Sequence, residues 1–412
     1  MVNKYLEKIG FENSLINETP VQGLNAVVVI PAFNEPYLIK TLQSLEACDS
    51  PEKPIEIIVV FNHPEDASNQ IKKQSQDYYK KALEFSKSEG LKFRYLILDA
   101  FDLPKKTAGV GLARKTGMDQ AVSRLGNHSD GLIIALDADC TVAPNYLVAI
   151  EEHFEKHNNS PGSSVYFEHP LKPENNDLAL GIVQYELHLR YYNQLIKYTG
   201  HPYAYHTVGS SMVVRSWAYQ KQGGMNKRKA GEDFYFLQKI IQLGNFSEIK
   251  NTCVYPSPRV SDRVPFGTGK AQGDWIENNK KQYLTYHPES VMVLKSLFDS
   301  VYEKGKGLAT LPLETIPSQI IEFAGEKQWQ LKTHEIDKNT SNNEAFIKRF
   351  FAWFNLFMVM RFVHYYRDNY QENIPVTEAT KQLLETLGMG YNLSESMTLL
   401  QIFRKIEKMQ IT

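Results

Sequence analysis

Two aspartates one residue apart, Asp137 and Asp139, close a short apolar run in the stretch Gly131 to Pro144, GLIIALDADCTVAP. In an extended backbone side chains at that spacing project to the same side, where they can share a hard, oxygen-preferring cation with a diphosphate. Acids ahead of the helix that Pro144 opens also suit helix capping, and the spacing alone leaves both readings open. A second acid pair, Glu232 and Asp233, precedes an apolar-periodic helix running to about Leu243. Neighbouring carboxylates raise one another's pKa, which brings a base toward a useful range. The competing accounts are a helix cap, or an acid paired with Arg228 or Lys229.

Other candidates surround these pairs. Lys105 to Gly117, KKTAGVGLARKTG, is a glycine-containing turn running into a helix, with Arg114 one or two turns inside. Helix N-terminal amides and a guanidinium suit a phosphate-bearing ligand, and a plain loop-to-helix connection is the alternative. The loop follows the third strand, so it fails the dinucleotide fingerprint. Between Arg259 and Gly269, RVSDRVPFGTG sets Arg259 and Arg263 on a glycine-flanked turn that suits closure over a diphosphate, or serves as a surface linker. His201 and His206 precede the Gly209 turn, and either imidazole is an acceptable Mn2+ ligand or an ordinary hydrogen-bonded loop residue. Cys140, beside carboxylates, is read as structural because its thiolate is disfavoured there.

The elements that must position these groups alternate. Ala26 to Ile30, Ile55 to Val60, Phe93 to Leu98 and Leu132 to Leu136 read as buried strands. Helical patterns fall between them, over Tyr37 to Ala47, about Ala67 to Ser88 and Val110 to Arg124. This alternation predicts a mostly parallel, doubly wound sheet whose right-handed crossovers bring the strand ends to one edge. Polar residues gather there: Pro31 to Glu35, Asn62 with His63, Asp99, and the Asp137 and Asp139 pair. Such a run of strand ends predicts a shared ligand site at the carboxyl edge of the sheet. Further on, Ser163 to Phe167 and Gly209 to Arg215 read as short strands, and Leu178 to Tyr198 as a long helix lining a cleft.

The chain has 412 residues, 42% hydrophobic and 23% charged, with a net charge of -1. That is an ordinary globular composition with no general attraction to nucleic acid. Three scattered cysteines fit neither a disulfide framework nor a zinc site. With a charged N-terminus that does not resemble a signal peptide, they predict a cytoplasmic protein. The expected organisation is an N-terminal extension over 1–24, an α/β domain over 25–273 and a helical C-terminal domain over 274–412. Within the last, Trp329 to Asn343 is expected to be a loop or linker. Phe346 to Tyr366 is expected to be a single buried or partner-facing helix, with peripheral membrane contact left open. No window of about eighteen uninterrupted apolar residues exists for a membrane span.

Taken together, VVVIPAFNE, GVGLARKTG, LDADCTVAPNYL and AGEDFYF, in this order over about Leu24 to Gly269, resemble glycosyltransferase family 2 of the GT-A, Rossmann-like fold. The resemblance implies that Glu35 contacts the nucleotide and that Asp137 and Asp139 hold a Mn2+ or Mg2+ ion bridging the donor diphosphate. It also implies that Asp233 deprotonates the acceptor hydroxyl, with Glu232 orienting Asp233 or the acceptor, so that transfer inverts the anomeric centre. The donor implied is a nucleotide-sugar, with UDP favoured over GDP. The acceptor is a glycan, lipid-linked or small-molecule hydroxyl. Pro31, Asn62, Asp99, Arg114, Asp137, Arg259 and Arg263 are the expected donor contacts, with His206 a further metal candidate. Where many members carry a double aspartate after strand two, this chain has Phe61-Asn62-His63-Pro64-Glu65-Asp66. Gln272-Gly273-Asp274-Trp275 lacks the arginine of the processive synthases, which favours a non-processive transferase. A retaining transferase, a sugar nucleotidyltransferase and a noncatalytic scaffold are the rival readings.

Overall fold

Val27, Val28, Val29 and Ile30 have no solvent exposure, and the strand they form lies inside the sheet with a neighbour on each side. In the computed structural model, which describes residues 3–11, 14–171, 177–261, 267–277, 282–389 and 395–409, eight strands make one sheet. They are β1 (Ala26–Ala32), β2 (Ile55–Pro64), β3 (Arg94–Leu103), β4 (Leu132–Ala135), β5 (Thr141–Val142), β6 (Gly162–Phe167), β7 (Met212–Arg215) and β8 (Ser247–Tyr255). The order is β3-β2-β1-β4-β7-β6-β8-β5. β3, β2, β1 and β4 run parallel, in a register that sets Val28 beside Ile57 and Ile134. β7 runs antiparallel between β4 and β6, while β6 and β8 are parallel again. The sheet is therefore mostly parallel and flanked by helices, as the α/β alternation predicts, and it is of the GT-A type.

Two strands run further than the sequence suggests. β2 continues to Pro64 and β3 to Leu103, with Phe61 opposite Asp99 and Asn62 opposite Ala100 before a register shift. Aromatic packing holds this extension: the Tyr79 ring sits 5.4 Å from Phe61 and 5.7 Å from Phe101. Asn62 and Asp99 therefore belong to the paired ladder, and His63 sits at its register shift.

The chain divides into two compact units, one of Met1–Leu171 with Thr207–Gly273, the other of Lys172–His206 with Asp274–Met409. The helix Asp177–Tyr198 thus differs from its expected place in the 25–273 domain. Its side chains explain this: Arg190 and Glu186 bond to Glu407 and Arg404 of the helix Ser396–Met409, and Tyr191 donates to the Tyr286 carbonyl.

Two expectations for the second unit are corrected. Residues 329–343 are not a linker, because Glu326–Lys338 is a helix that buries Trp329, Thr333 and Ile336 at spacings of four and three. Its apolar stripe is one residue wide per turn and is masked by charge in the sequence. Residues 346–366 are not one helix but parts of two, Asn343–Trp353 and Leu356–Asn369. Asn355 makes the break, its side chain accepting from the amides of Phe357 and Met358 at 3.0 and 3.2 Å, an N-cap inside an apolar run. Among the described residues no helix is long and apolar enough to cross a membrane.

Candidate active site

Asp137 follows the end of β4 with only Leu136 between them, and Asp139 sits in the tight turn closed by the Cys140 amide donating to the Asp137 carbonyl at 3.1 Å. Thr41 Oγ1 donates to the Ala138 carbonyl at 2.8 Å and ties this turn to the helix Leu38–Glu46. The backbone here is a turn, so the extended-chain rationale for the aspartate pair does not hold. Neither acid caps the following helix Tyr146–Lys156, whose N-cap is Asn145. Each instead meets its own arginine: Arg114 Nη2 reaches Asp137 Oδ1 at 2.6 Å and Arg259 Nη2 lies 3.4 Å from Asp139 Oδ2.

Arg259 gathers the strand-one end as well. Its Nη2 also bonds Glu35 Oε2, and its guanidinium carbon stands 5.1 Å from the Tyr37 ring centre. Glu35 is only 2% exposed, and its other oxygen accepts from the Tyr37 amide at 2.9 Å. The turn into it passes through Asn34 at φ 45°, a left-handed conformation that asparagine tolerates. Pro31 lies buried inside β1, opposite Val60.

The acid pair is reached from Arg114. Its buried guanidinium gives one terminal nitrogen to Asp137 and the other to Glu232 Oε1, bridging two carboxylates. Glu232 is the first residue of the helix Glu232–Ile241, after Gly231 in the left-handed region at φ 68°. Asp233 Oδ2 accepts from the Gly209 amide at 2.8 Å and Oδ1 from its neighbour Phe234 at 2.7 Å. The pair is therefore not matched with Arg228 or Lys229. Arg228 instead stacks on Tyr235, 3.7 Å from the ring centre. Burial pushes the carboxyls of both Glu232 and Asp233 above the usual range, with Arg114 opposing the rise only in part. Burial and the neighbouring Asp139 likewise raise the Cys140 thiol well above its ordinary value, consistent with a structural cysteine.

The glycines of GVGLARKTG act in packing. A Cβ on Gly111 would stand 2.1 Å from the Arg228 carbonyl oxygen and 3.1 Å from Glu232 Cβ. Only glycine lets the helix Val110–Leu125 approach the loop that delivers the acid pair. This close approach sets Arg114 beside Glu232.

Residues 27–218 match the family described as Glycosyl transferase family 2. The chain carries a family 2 glycosyltransferase domain. Among solved structures, residues 1–349 of S. aureus TarS in complex with UDP share 12% identity at a TM-score of 0.38, covering 81% of this chain and 92% of that one. The same TarS fragment in complex with UDP-GlcNAc shares 13% identity at 0.39, covering 90% and 93%. No curated protein matches the sequence. The matched stretch of the family 2 domain contains Glu35, Arg114, Asp137 and Asp139 and stops short of Glu232; Arg114 connects the two.

The remaining predicted residues of the domain are placed as follows. Asn62 is 3% exposed, and its Oδ1 is buried with no hydrogen-bond partner among the described residues. Asp99 is exposed and accepts from the Phe101 amide at 2.9 Å. Arg263 lies outside the described residues. His201 is no metal ligand: its Nε2 lies 3.0 Å from the Phe354 carbonyl oxygen, its Nδ1 accepts from the Tyr203 amide, and burial lowers it to about 4. His206 Nε2 is 3.1 Å from Glu407 Oε1, within the second unit. The sequence reading missed Gly209 and Tyr37 as parts of the site. Gly209 was visible as a turn, but its amide bond to Asp233 joins positions 24 residues apart and leaves no local signal.

The residues present fit a divalent cation by their donor chemistry. Asp137 and Asp139 offer hard carboxylate oxygens from one turn, with side chains 38% and 25% exposed. Asp137 Oδ2 has no hydrogen-bond partner among the described residues. No group of three His, Cys, Asp or Glu side chains among those residues could hold a metal unaided, so further ligands would come from a diphosphate and water.

Proposed function

We propose that the family 2 domain is a metal-dependent inverting glycosyltransferase that moves a hexosyl or N-acetylhexosaminyl group from a nucleotide-diphosphate sugar to an acceptor hydroxyl. One observation carries this reading: Arg114 joins a cation-suited carboxylate, Asp137, to the acid pair at the start of the helix Glu232–Ile241. Asp139 and Asp137 would hold Mn2+ or Mg2+, which when bound supplies Lewis-acid stabilisation to the departing diphosphate. His206 is left out of that set because Glu407 engages its Nε2.

In this reading Asp233 takes the proton from the acceptor hydroxyl. The freed oxygen attacks the anomeric carbon on the face opposite the leaving group, and the bonding pair of the broken bond goes to the β-phosphate oxygen. A carboxyl raised by burial is the stronger base, and Glu232, fixed by Arg114, orients it. Arg259 exchanges Glu35 for the diphosphate, and the unpartnered Asn62 Oδ1 accepts from the base. UDP is the favoured nucleotide and GDP the second. The acceptor is a glycan, lipid-linked or small-molecule hydroxyl. Three buried cysteines, all free, support a reducing, cytoplasmic setting.

Calorimetric titration of UDP, GDP and their sugar conjugates, with and without Mn2+, into wild type and Asp139→Ala tests the donor site. The expected result is Mn2+-dependent binding of one nucleotide, lost in the variant. Folded protein that binds none of them would sink the transferase reading in favour of a noncatalytic scaffold. NMR of the product's anomeric configuration then separates inversion from retention.

A further inference from the structure

We propose that the second unit carries a binding site for a neutral saccharide, built from the rings of Tyr185, His188, Tyr192, Tyr283, Tyr286 and His364. The first three share a face of the helix Asp177–Tyr198 through spacings of three and four residues. Tyr283 packs 6.0 Å from Tyr185 and 5.0 Å from His188, Tyr286 packs 5.6 Å from Tyr192 and 5.5 Å from His364, and His188 lies 6.2 Å from Tyr286, so the six rings form one continuous series. Every one of them is partly exposed, unlike the fully buried Phe298, Phe350 and Phe351 of the same unit. Their orientations are pinned. His188 Nδ1 is 2.8 Å from Thr285 Oγ1, and the Tyr286 hydroxyl is 2.8 Å from His364 Nε2.

Three polar atoms on this surface are unspent. The hydroxyls of Tyr192 and Tyr283 and Nε2 of His188 have no hydrogen-bond partner among the described residues, and none is a buried unsatisfied atom. A surface that only sealed the unit's core would bury its rings and pair these groups. Pinned ring faces flanked by neutral donors and acceptors instead match a sugar, which presents apolar C–H faces bordered by hydroxyls. Charge selects against an anionic ligand. Burial lowers His188 to about 4 and lowers His364 as well, so both rings are uncharged near neutrality, and the nearby Arg367 is paired with Asp368. Naming the ligand as the acceptor glycan rests on the transferase reading above; the saccharide chemistry of the surface does not.

The test is saturation-transfer NMR and calorimetry of the full chain with neutral malto-, cello-, chito- and xylo-oligosaccharides of four to six units, beside an anionic oligogalacturonate. At least one neutral oligosaccharide is expected to bind wild type, with Kd at least tenfold weaker in Tyr192→Ala and Tyr283→Leu and a smaller loss in Tyr283→Phe. Binding of none of them, binding of the anionic chain alone, or neutral binding unchanged in both ring-removing variants would each overturn the proposal. If the ring-removing variants fail to fold, Tyr283→Phe decides, an unchanged Kd counting against the site. Nucleotide titration of the same samples keeps the two readings apart. Oligosaccharide binding without any nucleotide binding sinks the transferase reading and leaves this site standing, and the converse result sinks only this site.

Discussion

Two of the chain's buried arginine–carboxylate networks are balanced differently. In the second unit Arg404 grips Glu186 with Nε and Nη2 at 2.7 Å each, and Arg190 bonds both Glu186 and Glu407. Among the described residues two arginines meet two carboxylates, with His206 a further partner of Glu407. Burial alone would raise the Glu407 carboxyl, yet the charges of Arg190 and His206 draw it down to about 2. In the first unit the single guanidinium of Arg114 bonds Asp137 and Glu232 and stands beside Asp233. There the carboxyls of Glu232 and Asp233 are pushed up. The balanced network fastens two helices. The unbalanced one holds negative charge that a cation and a proton can relieve, the condition expected of a site kept for chemistry at some cost in stability.

The largest effect expected from this contrast is that of Asp233→Asn. Removing a general base lowers kcat by about a thousandfold, or about 4 kcal/mol, measured by steady-state transfer to any acceptor that turns over. Nucleotide affinity stays unchanged. An acid whose folded pKa is raised costs stability at neutral pH and returns it as pH falls through the folded value, so the variant melts at or above the wild-type temperature at pH 7. A destabilised variant that retains kcat would reverse the assignment and make this network the structural one.

The second unit gives the opposite sign. Glu407, depressed from 4.5 to about 2, contributes stability that is fully present above about pH 4.5 and is lost as pH falls toward 2. The contribution is about 3 kcal/mol. Urea midpoints at pH 7, 4 and 3 should fall more steeply for wild type than for Glu407→Gln, with transfer activity at pH 7 little changed. Parallel losses in the two proteins would remove Glu407 from the account of acid stability.

Much of this architecture is legible in the residues themselves. AVVVI and IEIIVV are continuous branched-apolar runs because both faces of those strands are covered, and that covering leaves its trace in composition. The acid pairs stand out by position, Asp137 and Asp139 at the end of such a run and Glu232 and Asp233 at the start of an apolar helix. What connects them does not stand out. Arg114 meets Asp137 across 23 residues and Glu232 across 118, pairings that topology makes and periodicity cannot record. For the same reason a phosphate-binding turn and a close-packed helix start look alike in GVGLARKTG until the Arg228 carbonyl is found against Gly111. The helix break at Asn355 was hidden differently: one capping side chain in a long aromatic run has no period at all.

The finest test of the contrast is Gly209→Ala. A Cβ there would stand 2.9 and 3.0 Å from the terminal nitrogens of Arg114 and 3.0 Å from Asp233 Oδ2. Arg114 is held by two carboxylates, so the added carbon displaces its guanidinium and Asp233 together by a few tenths of an ångström. Gly209 has no positive φ, so its backbone accepts alanine and the effect falls on the site alone. Displacing a base by that much is expected to lower kcat about tenfold, with nucleotide affinity and melting temperature near wild type. Gly223→Ala is the counterpart: at φ 77° with nothing within 4 Å of the added carbon, it strains the backbone by about 1 kcal/mol and should lower the melting temperature without touching kcat. If both substitutions behaved alike, Arg114, Gly209 and Asp233 would be packing partners only, and the charge imbalance around Arg114 would have no catalytic consequence.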